Sequence, residues 1–200
     1  MKPITSVPEL ETHYGEAVPR SLSKVVNSMT PLYRAWIEAS RFVVISTVGS
    51  EGTDGSPRGD EGSVVTIVDD KTLMLPDWFG NNRIDTLRNI VRDGRVSLMF
   101  MVQGNNSVVR VNGSAVVTAD DATRARFEKK GKLPRTVVVI TIAEMYFQCA
   151  KALMRSGLWN APTEQAKLPT AGDFLKERDA MFDGKSYDEA YPEYAKSRLW

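Results

Sequence analysis

Residues 75–89 read Leu75-Pro76-Asp77-Trp78-Phe79-Gly80-Asn81-Asn82-Arg83-Ile84-Asp85-Thr86-Leu87-Arg88-Asn89. This pattern predicts the end of a strand, a short loop that contains a glycine, and the first turns of a helix. Asn81 or Asn82 can cap that helix, and Asp85 follows Asn82 at the spacing of a capping box. The helix is therefore predicted to begin directly after the two asparagines.

The first turn of this predicted helix would bring unpaired backbone N–H groups, two amide side chains and Arg83 together. The unpaired donors and the helix dipole both favour negative charge, so the combination suits an anion and above all a phosphate. Ile84, Leu87 and Val91 recur at helical spacing, which predicts that their face of the helix packs inward. The same residues also fit a helix that is simply well capped, and local chemistry alone favours that plainer interpretation.

Length and composition describe an ordinary globular chain. Its 200 residues suffice for one domain, or one domain with an extension, and for a sizeable core. Apolar residues make up 42% and charged residues 26%, and the net charge of +1 gives no argument for a nucleic-acid or membrane partner. The N-terminus lacks an apolar run after its charge, and no window approaches the length of a membrane span. We therefore expect a cytoplasmic protein.

Few residues could carry catalysis without a cofactor. The single cysteine, Cys149, excludes an internal disulfide framework and a multi-cysteine metal site. The single histidine, His13, has no second ligand in view, so we predict no metal site and no Ser/His/Asp set. The lack of a Gly-x-Gly-x-x-Gly or Walker sequence weakens the dinucleotide-binding and nucleotidase interpretations.

The order of predicted elements favours a β-barrel. Short helices are predicted in residues 7–40, and two amphipathic helices in the tail, at about 173–181 and 186–199. The predicted strands cover residues 42–48, 63–68, 72–75, 95–102, 108–118 and 136–142, with turn chemistry at 50–55 and a short helix at 120–129. Many short strands, tight turns and no βαβ rhythm predict an antiparallel barrel rather than a Rossmann sheet.

Several short motifs carry a family resemblance. In chain order they are Ser56-Pro57-Arg58-Gly59-Asp60, Pro76-Asp77 with Gly80-Asn81-Asn82-Arg83, Leu87-Arg88-Asn89, Arg110-Val111-Asn112-Gly113, and Lys151-Ala152-Leu153 with Arg155-Ser156-Gly157-Leu158-Trp159. In this order and spacing, residues 41–159 resemble the pyridoxamine 5′-phosphate oxidase-like, FMN-binding split β-barrel family. The resemblance is specific for the fold and for a flavin site, and not for a substrate.

The resemblance implies a mainly-β fold, an antiparallel split β-barrel of the FMN-binding type with N-terminal and C-terminal helices. It implies an N-terminal helical extension at 1–40 and a flavin-binding barrel at 41–159. The helical tail at 160–200 would pack on the barrel or on the dimer partner. The implied assembly is a homodimer with FMN at the subunit interface and a small-molecule substrate.

The resemblance also implies the residues that bind FMN. They are Ser56, Arg58, Gly59, Asp60, Asp77, Asn81, Asn82, Arg83, Lys151, Arg155, Ser156 and Trp159. Arg83 with the two asparagines would hold the phosphate and Arg58 would reach it, since guanidinium groups match the planar geometry of phosphate oxygens. Ser56, Gly59 and Asp60 would line the isoalloxazine and ribityl edge, and the last four residues would come from the partner subunit.

Two departures limit what the resemblance implies. The sequence has Gln148-Cys149-Ala150-Lys151 where this branch of the family usually has His-Cys-Pro-Lys. The exchange removes an imidazole that could titrate near neutral pH, which affects any chemistry that used it but not flavin binding. The chain ends Ser197-Arg198-Leu199-Trp200, without the basic substrate-contacting segment of true pyridoxamine phosphate oxidases. We therefore do not predict vitamin B6 oxidation.

The function predicted from the sequence is that of an FMN-dependent oxidoreductase. FMN would pass hydride between a reduced nicotinamide or similar donor and a small organic acceptor, while the protein binds and orients the ring. The alternatives are a flavin-binding or flavin-storing module without turnover, or a family member that uses a deazaflavin or haem. Haem fits poorly, because the single histidine, His13, lies outside the barrel motifs.

Overall fold

The computed structural model of the protein describes residues 1–161 and 167–200, which form eight helices and seven strands. The helices are α1 (Val7–Glu11), α2 (Pro19–Ser23), α3 (Pro31–Ala39), α4 (Asp85–Arg92), α5 (Asp121–Ala125), α6 (Lys151–Ser156), α7 (Ala171–Arg178) and α8 (Gly184–Lys196). The strands are β1 (Phe42–Gly49), β2 (Gly52–Gly59), β3 (Thr66–Ile67), β4 (Thr72–Asp77), β5 (Arg95–Met101), β6 (Val108–Thr118) and β7 (Thr136–Gln148). None of the helices in these described ranges is long and apolar enough to cross a membrane.

The strands form one seven-stranded sheet in the order β2-β1-β5-β6-β7-β4-β3, and every neighbouring pair is antiparallel. Two of these pairings join distant parts of the chain, β1 with β5 and β4 with β7. The predicted antiparallel split β-barrel with peripheral helices is confirmed. The predicted division into an extension, a barrel and a tail stays a prediction.

One apolar core lies on the inner face of the sheet. Burial alternates residue by residue along β5, as expected of a strand with one buried face. Ile45, Leu98 and Phe100 have no exposed surface, and each such side chain contributes about 1.5–3 kcal/mol by leaving water. Ile37 of α3 and Ile90 of α4 join the same cluster, so two helices complete the core.

The longest pair of strands, β6 and β7, contains one bulge. The register shifts between Asn112 and Gly113. A Cβ atom at Gly113 would lie 2.0 Å from the carbonyl oxygen of Thr141, so a larger residue would have to move the backbone of the neighbouring strand. A bulge bends its strand and increases the twist, which helps an antiparallel sheet to coil around a core.

Helix α3 begins as the sequence predicts. The Thr30 side chain accepts a hydrogen bond from the backbone N–H of Tyr33 at 3.4 Å, and Pro31 occupies the first turn. This is the usual arrangement of a capped N-terminus, in which the proline removes a donor that would otherwise lack a partner.

Helix α4 begins later than predicted. It starts at Asp85, with Ile84 as N-cap residue and no side-chain cap, so the prediction of Asn81 or Asn82 as cap is wrong. The Asn81 side chain accepts a hydrogen bond from the backbone N–H of Arg83 at 2.9 Å, and Asn82 has a left-handed φ of 61°. Asparagine side chains compete for nearby backbone donors and tolerate left-handed backbone, so the loop continues to Ile84.

The buried face of α4 differs from the predicted one. Its buried residues are Thr86, Asn89 and Ile90. Ile84 and Val91 are 42% and 75% exposed, so the prediction that they face the core is wrong. The Asn89 side chain donates to the Thr47 hydroxyl at 3.2 Å, which shows that a polar residue is buried here because it finds a partner on β1.

The second and third strands also differ from the prediction. β2 begins at Gly52, inside the predicted turn, because it pairs with β1 up to the Gly49–Gly52 register position. β3 is limited to Thr66–Ile67, although a strand over 63–68 was expected. The backbone N–H of Val64 donates to the carbonyl of Ser40 at 2.9 Å, so this part of the segment binds the end of α3 instead of the sheet.

The tail forms a helical hairpin. α7 and α8 pack closely where Gly172 meets Gly184, since a Cβ atom at either residue would come within 2.4 Å of the other backbone. The backbone N–H of Gly172 donates to the Asp188 carboxylate at 2.8 Å and fixes the crossing. Thr170 and Asp173 form a capping box at the start of α7. Both tail helices are present, with boundaries shifted by two or three residues.

Candidate functional site

A cavity of about 450 Å³ lies between the ends of β2 and β4, the loop before α4 and the start of β7. Its lining residues are Pro57, Arg58, Gly59, Asp60, Val64, Leu75, Pro76, Asp77, Trp78, Phe79, Gly80, Asn81, Asn82, Arg83, Ile84, Leu87, Arg135, Thr136 and Leu199. The volume falls in the range typical of small-molecule and cofactor sites, about 300–1,000 Å³. The lining combines three arginines, two aspartates and two loop aromatics.

Arg58 is held in the cavity wall by two neighbours. One of its terminal nitrogens, Nη1, donates to the hydroxyl of Ser56 at 2.5 Å, two residues earlier on the same face of β2. The other, Nη2, lies 3.5 Å from Oδ1 of Asp77 at the end of β4, and the two side chains are only 26% and 20% exposed. Arg58 is therefore positioned before any ligand binds.

Asp77 carries a carboxyl group in an environment that disfavours its charge. Burial raises the pKa of Asp77 above its ordinary value, and the positive charges of Arg58 and Arg135 only partly oppose the effect. Because desolvation penalises the ionised form, this carboxyl takes up a proton more readily than a surface aspartate.

Arg135 organises the loop before α4. Its Nη1 donates to the side-chain oxygen of Asn82 at 2.8 Å, and its guanidinium lies 4.6 Å from the ring centroid of Phe79. Its backbone N–H donates to the carbonyl of Asp77 at 3.1 Å, which places Arg135 beside the end of β4. Arg135 was not among the predicted site residues. It stabilises the left-handed turn at Asn82 and supplies the third positive charge of the cavity.

Arg83 is the exposed arginine of the cavity. Its side chain is 80% exposed, and its Nε donates to Oδ2 of Asp85 at 2.6 Å. The same hydrogen bond holds the pKa of Asp85 below its ordinary value. A solvent-exposed ion pair of this kind contributes little to stability, so a competing anion could take Arg83 from Asp85 at small cost.

Asp60 is held in the cavity wall by residues that do not line the cavity themselves. Its side chain is 13% exposed and forms an ion pair with Lys129, which follows α5. Its backbone N–H donates to the carbonyl of Arg41 at 2.9 Å. Asp60 is therefore fixed by both backbone and side chain, and Lys129 balances its charge at the cavity edge.

The cavity brings together seven of the residues predicted to bind a cofactor: Arg58, Gly59, Asp60, Asp77, Asn81, Asn82 and Arg83. Ser56 does not line the cavity, but its hydroxyl accepts the hydrogen bond that orients Arg58. The first turn of α4 carries Asp85, so the positive charges of the cavity come from its arginines rather than from the start of the helix.

The other four predicted residues lie on α6 and just after it, and none of them lines this cavity within the described chain. Lys151, Arg155 and Ser156 are exposed there. The indole Nε1 of Trp159 donates to the carbonyl of Asn105 at 2.9 Å. Their predicted place in a partner's cleft stays a prediction.

The sequence analysis missed Arg135, Thr136 and Leu199 as lining residues. Arg135 directly precedes a predicted β-branched strand, and a cation at a strand start is too common to mark a site. Its role depends on the β4–β7 pairing, in which Asp77 lies opposite Thr136. Only a prediction of that long-range pairing would have placed it in the cavity.

The residues present fit a phosphate-bearing flavin. Three guanidinium groups face the cavity, and charge-assisted hydrogen bonds from arginine are the strongest available to phosphate oxygens. The Nε1 atom of Trp78 and the Oγ1 atom of Thr136 are buried without a hydrogen-bond partner among the described residues. Such groups normally bind a protein, water or ligand partner, and a polar ligand in this cavity would supply one.

Comparison with known proteins places these features in context. The sequence model of the family described as pyridoxamine 5′-phosphate oxidase matches residues 29–149, more than half of the chain. These residues include the cavity residues Arg58, Asp77, Arg83 and Arg135. No curated protein matches the sequence.

Several solved structures are similar to part of this chain. A histidine-to-alanine variant of HupZ from Group A Streptococcus is 18% identical, with a TM-score of 0.50 over 60% of this chain and 98% of that chain. A candidate pyridoxamine 5′-phosphate oxidase from Lactobacillus delbrueckii is 24% identical, with a TM-score of 0.49 over 60% of this chain and 95% of that one. An FMN-binding protein from Syntrophomonas wolfei is 16% identical, with a TM-score of 0.42 over 58% of this chain and 88% of that one. At 18% identity, the first of these shows a shared fold and no more.

Proposed function

The chain belongs to the pyridoxamine 5′-phosphate oxidase family, and we propose that it binds FMN in the cavity between β2 and β4 and acts as an oxidoreductase. The observation that carries the proposal is the cluster of Arg58, Arg83 and Arg135 around one cavity of cofactor size. An arrangement of three guanidinium groups suits a phosphate dianion, which accepts several charge-assisted hydrogen bonds at once.

The phosphate would be held by the arginines and the asparagine loop. Arg58 is already oriented by Ser56 and Asp77, so little side-chain entropy is lost when it binds. Arg83 would exchange Asp85 for the phosphate, and Arg135 would keep the loop in place through Asn82. Together these residues would fix one end of the cofactor.

The remaining wall would meet the ribityl chain and the ring. Gly59 presents backbone without a side chain, and Asp60 is fixed by Lys129. The Nε1 atom of Trp78 needs an acceptor, which a flavin carbonyl or ribityl hydroxyl could supply. Aromatic and apolar neighbours would exclude water from the ring.

Bound FMN supplies two-electron hydride chemistry, and the protein contributes binding, orientation and electrostatics. The donor in this proposal is a reduced nicotinamide or a similar compound, and the acceptor is a small organic molecule. Asp77 can hold a proton at its carboxyl group, since burial raises its pKa.

We also propose a homodimer with FMN at the subunit interface. In this arrangement Lys151, Arg155, Ser156 and Trp159 would cover the partner's cavity, because they lie outside the cavity of their own chain. The exposure of Lys151, Arg155 and Ser156 in one chain is compatible with that role. Light scattering coupled to gel filtration would give the mass of a dimer if this is correct.

Spectroscopy tests the cofactor and the activity separately. The purified protein is expected to be yellow and to release FMN on denaturation, whereas a red protein with a Soret band would overturn the flavin proposal. Anaerobic mixing with NADH and NADPH then tests turnover. Bleaching of the flavin at a catalytic rate supports an oxidoreductase, and a flavin that no donor reduces would leave only a flavin-binding protein.

A further inference from the structure

The last two residues of the sequence lie against the cavity rather than with the tail helices. Leu199 is one of the lining residues, and the adjacent Trp200 is largely buried. Leu199 is 57% exposed at the cavity rim, whereas the Trp200 side chain is less exposed than Tyr191 and Tyr194 of α8, at 49% and 55%. The chain therefore leaves α8 and returns to the barrel at the edge of the proposed flavin site.

Trp200 is held in this position by contacts with Lys129, Trp78 and Lys132. The Nζ atom of Lys129 lies 3.8 Å from the centroid of the indole ring, at cation–π distance. The ring of Trp78 meets it edge to face, with centroids 5.8 Å apart. The Nζ atom of Lys132 donates to the backbone carbonyl of Trp200 at 2.5 Å. The anchors come from two separate parts of the chain, so the position is specified by tertiary structure.

Two of the anchors, Lys129 and Trp78, are also connected to the cavity. Lys129 forms the ion pair with Asp60, and both Asp60 and Trp78 line the cavity wall. The Nε1 atoms of Trp78 and Trp200 are both buried without an acceptor among the described residues. The indole of Trp200 therefore packs on a wall residue, Trp78, and Lys129 links it to Asp60.

We propose that Leu199 and Trp200 are a closing wall of the cavity, which retains the bound ligand and limits its release. The ligand is FMN if the proposed function holds, and the inference rests on that function only for the identity of the ligand. Release would require the wall to move away from Lys129, Lys132 and Trp78. Contacts that hold the wall in place would then slow dissociation rather than contribute to phosphate recognition.

The first test measures how fast FMN leaves the protein. Dissociation is followed by the recovery of flavin fluorescence after rapid dilution of the FMN-loaded protein into a large volume of flavin-free buffer, in which rebinding is negligible. Trp200→Ala is expected to release FMN roughly tenfold faster, because the aromatic and cation–π contacts of one tryptophan correspond to about this factor. Lys132→Ala removes only the hydrogen bond to the carbonyl and is expected to act in the same direction with a smaller effect.

Tyr191→Ala is the matched control, since it removes a large tail aromatic whose ring neighbours are the tyrosines of α8. Its release rate should equal that of the unmodified protein. A Trp200→Ala protein that releases FMN as slowly as the unmodified protein would overturn the proposal. Equal acceleration by Tyr191→Ala would also overturn it, because a general loosening of the tail would then explain the effect.

A second measurement works without flavin and separates the two proposals. Acrylamide quenching of tryptophan fluorescence is measured in proteins with and without the substitution Trp78→Phe. The difference between the two gives the contribution of Trp78. Trp200→Ala should raise the quenching of Trp78, and unchanged quenching would overturn the closing wall. If no variant binds FMN, the proposed function fails, while this measurement still decides whether Trp200 covers the cavity wall.

Discussion

The Oδ1 atom of Asp77 lies 3.5 Å from Nη2 of Arg58, where the ends of β4 and β2 meet in the cavity wall. The pair holds the guanidinium in place, while burial raises the pKa of the Asp77 carboxyl above its ordinary value. A phosphate that binds Arg58 therefore competes with a carboxylate whose charge burial disfavours.

Arg58→Ala should weaken FMN binding. The substitution removes a partly buried, preorientated donor, and a hydrogen bond to a charged group is worth about 1.5–3 kcal/mol. Arg58→Lys keeps the charge but loses the two-pronged geometry, so it should recover only part of the affinity. Equilibrium titration by flavin fluorescence measures both, and an Arg58→Ala protein with unchanged affinity would remove Arg58 from the phosphate site.

Asp77→Asn should change how stability depends on pH in the flavin-free protein. The pKa of Asp77 is higher in the folded state than in the unfolded state. The contribution of Asp77 to the free energy of unfolding is therefore fully present at pH values below its pKa in the unfolded state. It is lost as pH rises through its pKa in the folded state. Urea unfolding at about pH 4 and about pH 7 should show that Asn gains stability relative to Asp at the higher pH. If the difference in unfolding free energy between the two proteins were constant with pH, or changed in the opposite direction, burial would not raise the pKa of Asp77.

Arg83→Ala should return the pKa of Asp85 towards its ordinary value. In the folded protein the Arg83 hydrogen bond lowers that pKa, so the associated stability is present above the unfolded pKa and is lost as pH falls through the folded pKa. Carboxyl NMR titration measures the shift directly. Addition of FMN to the unmodified protein should raise the pKa of Asp85 in the same way, since the phosphate would bind Arg83 in place of Asp85. A pKa of Asp85 that is insensitive to both changes would show that Arg83 does not exchange partners.

Gly113→Ala should destabilise the barrel. A Cβ atom there would lie 2.0 Å from the carbonyl oxygen of Thr141, and strain of this kind costs about 1–3 kcal/mol or more. Gly55→Ala is the matched control on β2, where the nearest atom would be 3.9 Å away. Chemical unfolding of both proteins gives the comparison, and equal stabilities would mean that the bulge between β6 and β7 is not rigid.

The barrel was predictable because its signals are local. β6 has the predicted bounds Val108–Thr118, since one face of that strand is apolar and the other polar. β3 is shorter than predicted, because Val64 and Val65 are buried like strand residues while Val64 bonds to the backbone at Ser40. A run of β-branched residues indicates burial, and only the tertiary partner decides whether it joins a sheet.

The cavity was predictable only in part. Arg58, Asp77 and Arg83 lie in short motifs of the sequence, but Arg135 enters through the pairing of β4 with β7. The predicted start of α4 was wrong because Asn82 adopts a left-handed backbone conformation and accepts a hydrogen bond from Arg135. Such a turn depends on a residue that is distant in sequence, so local capping rules could not find it.

The central claim is that this protein recognises the phosphate of FMN, and a comparison of FMN with riboflavin tests it most directly. Riboflavin has the same ring and ribityl chain without the phosphate. Fluorescence titration should show FMN binding at least about tenfold more tightly, and Arg58→Ala should reduce that preference. Equal affinities for FMN and riboflavin, or no binding of either, would contradict the account.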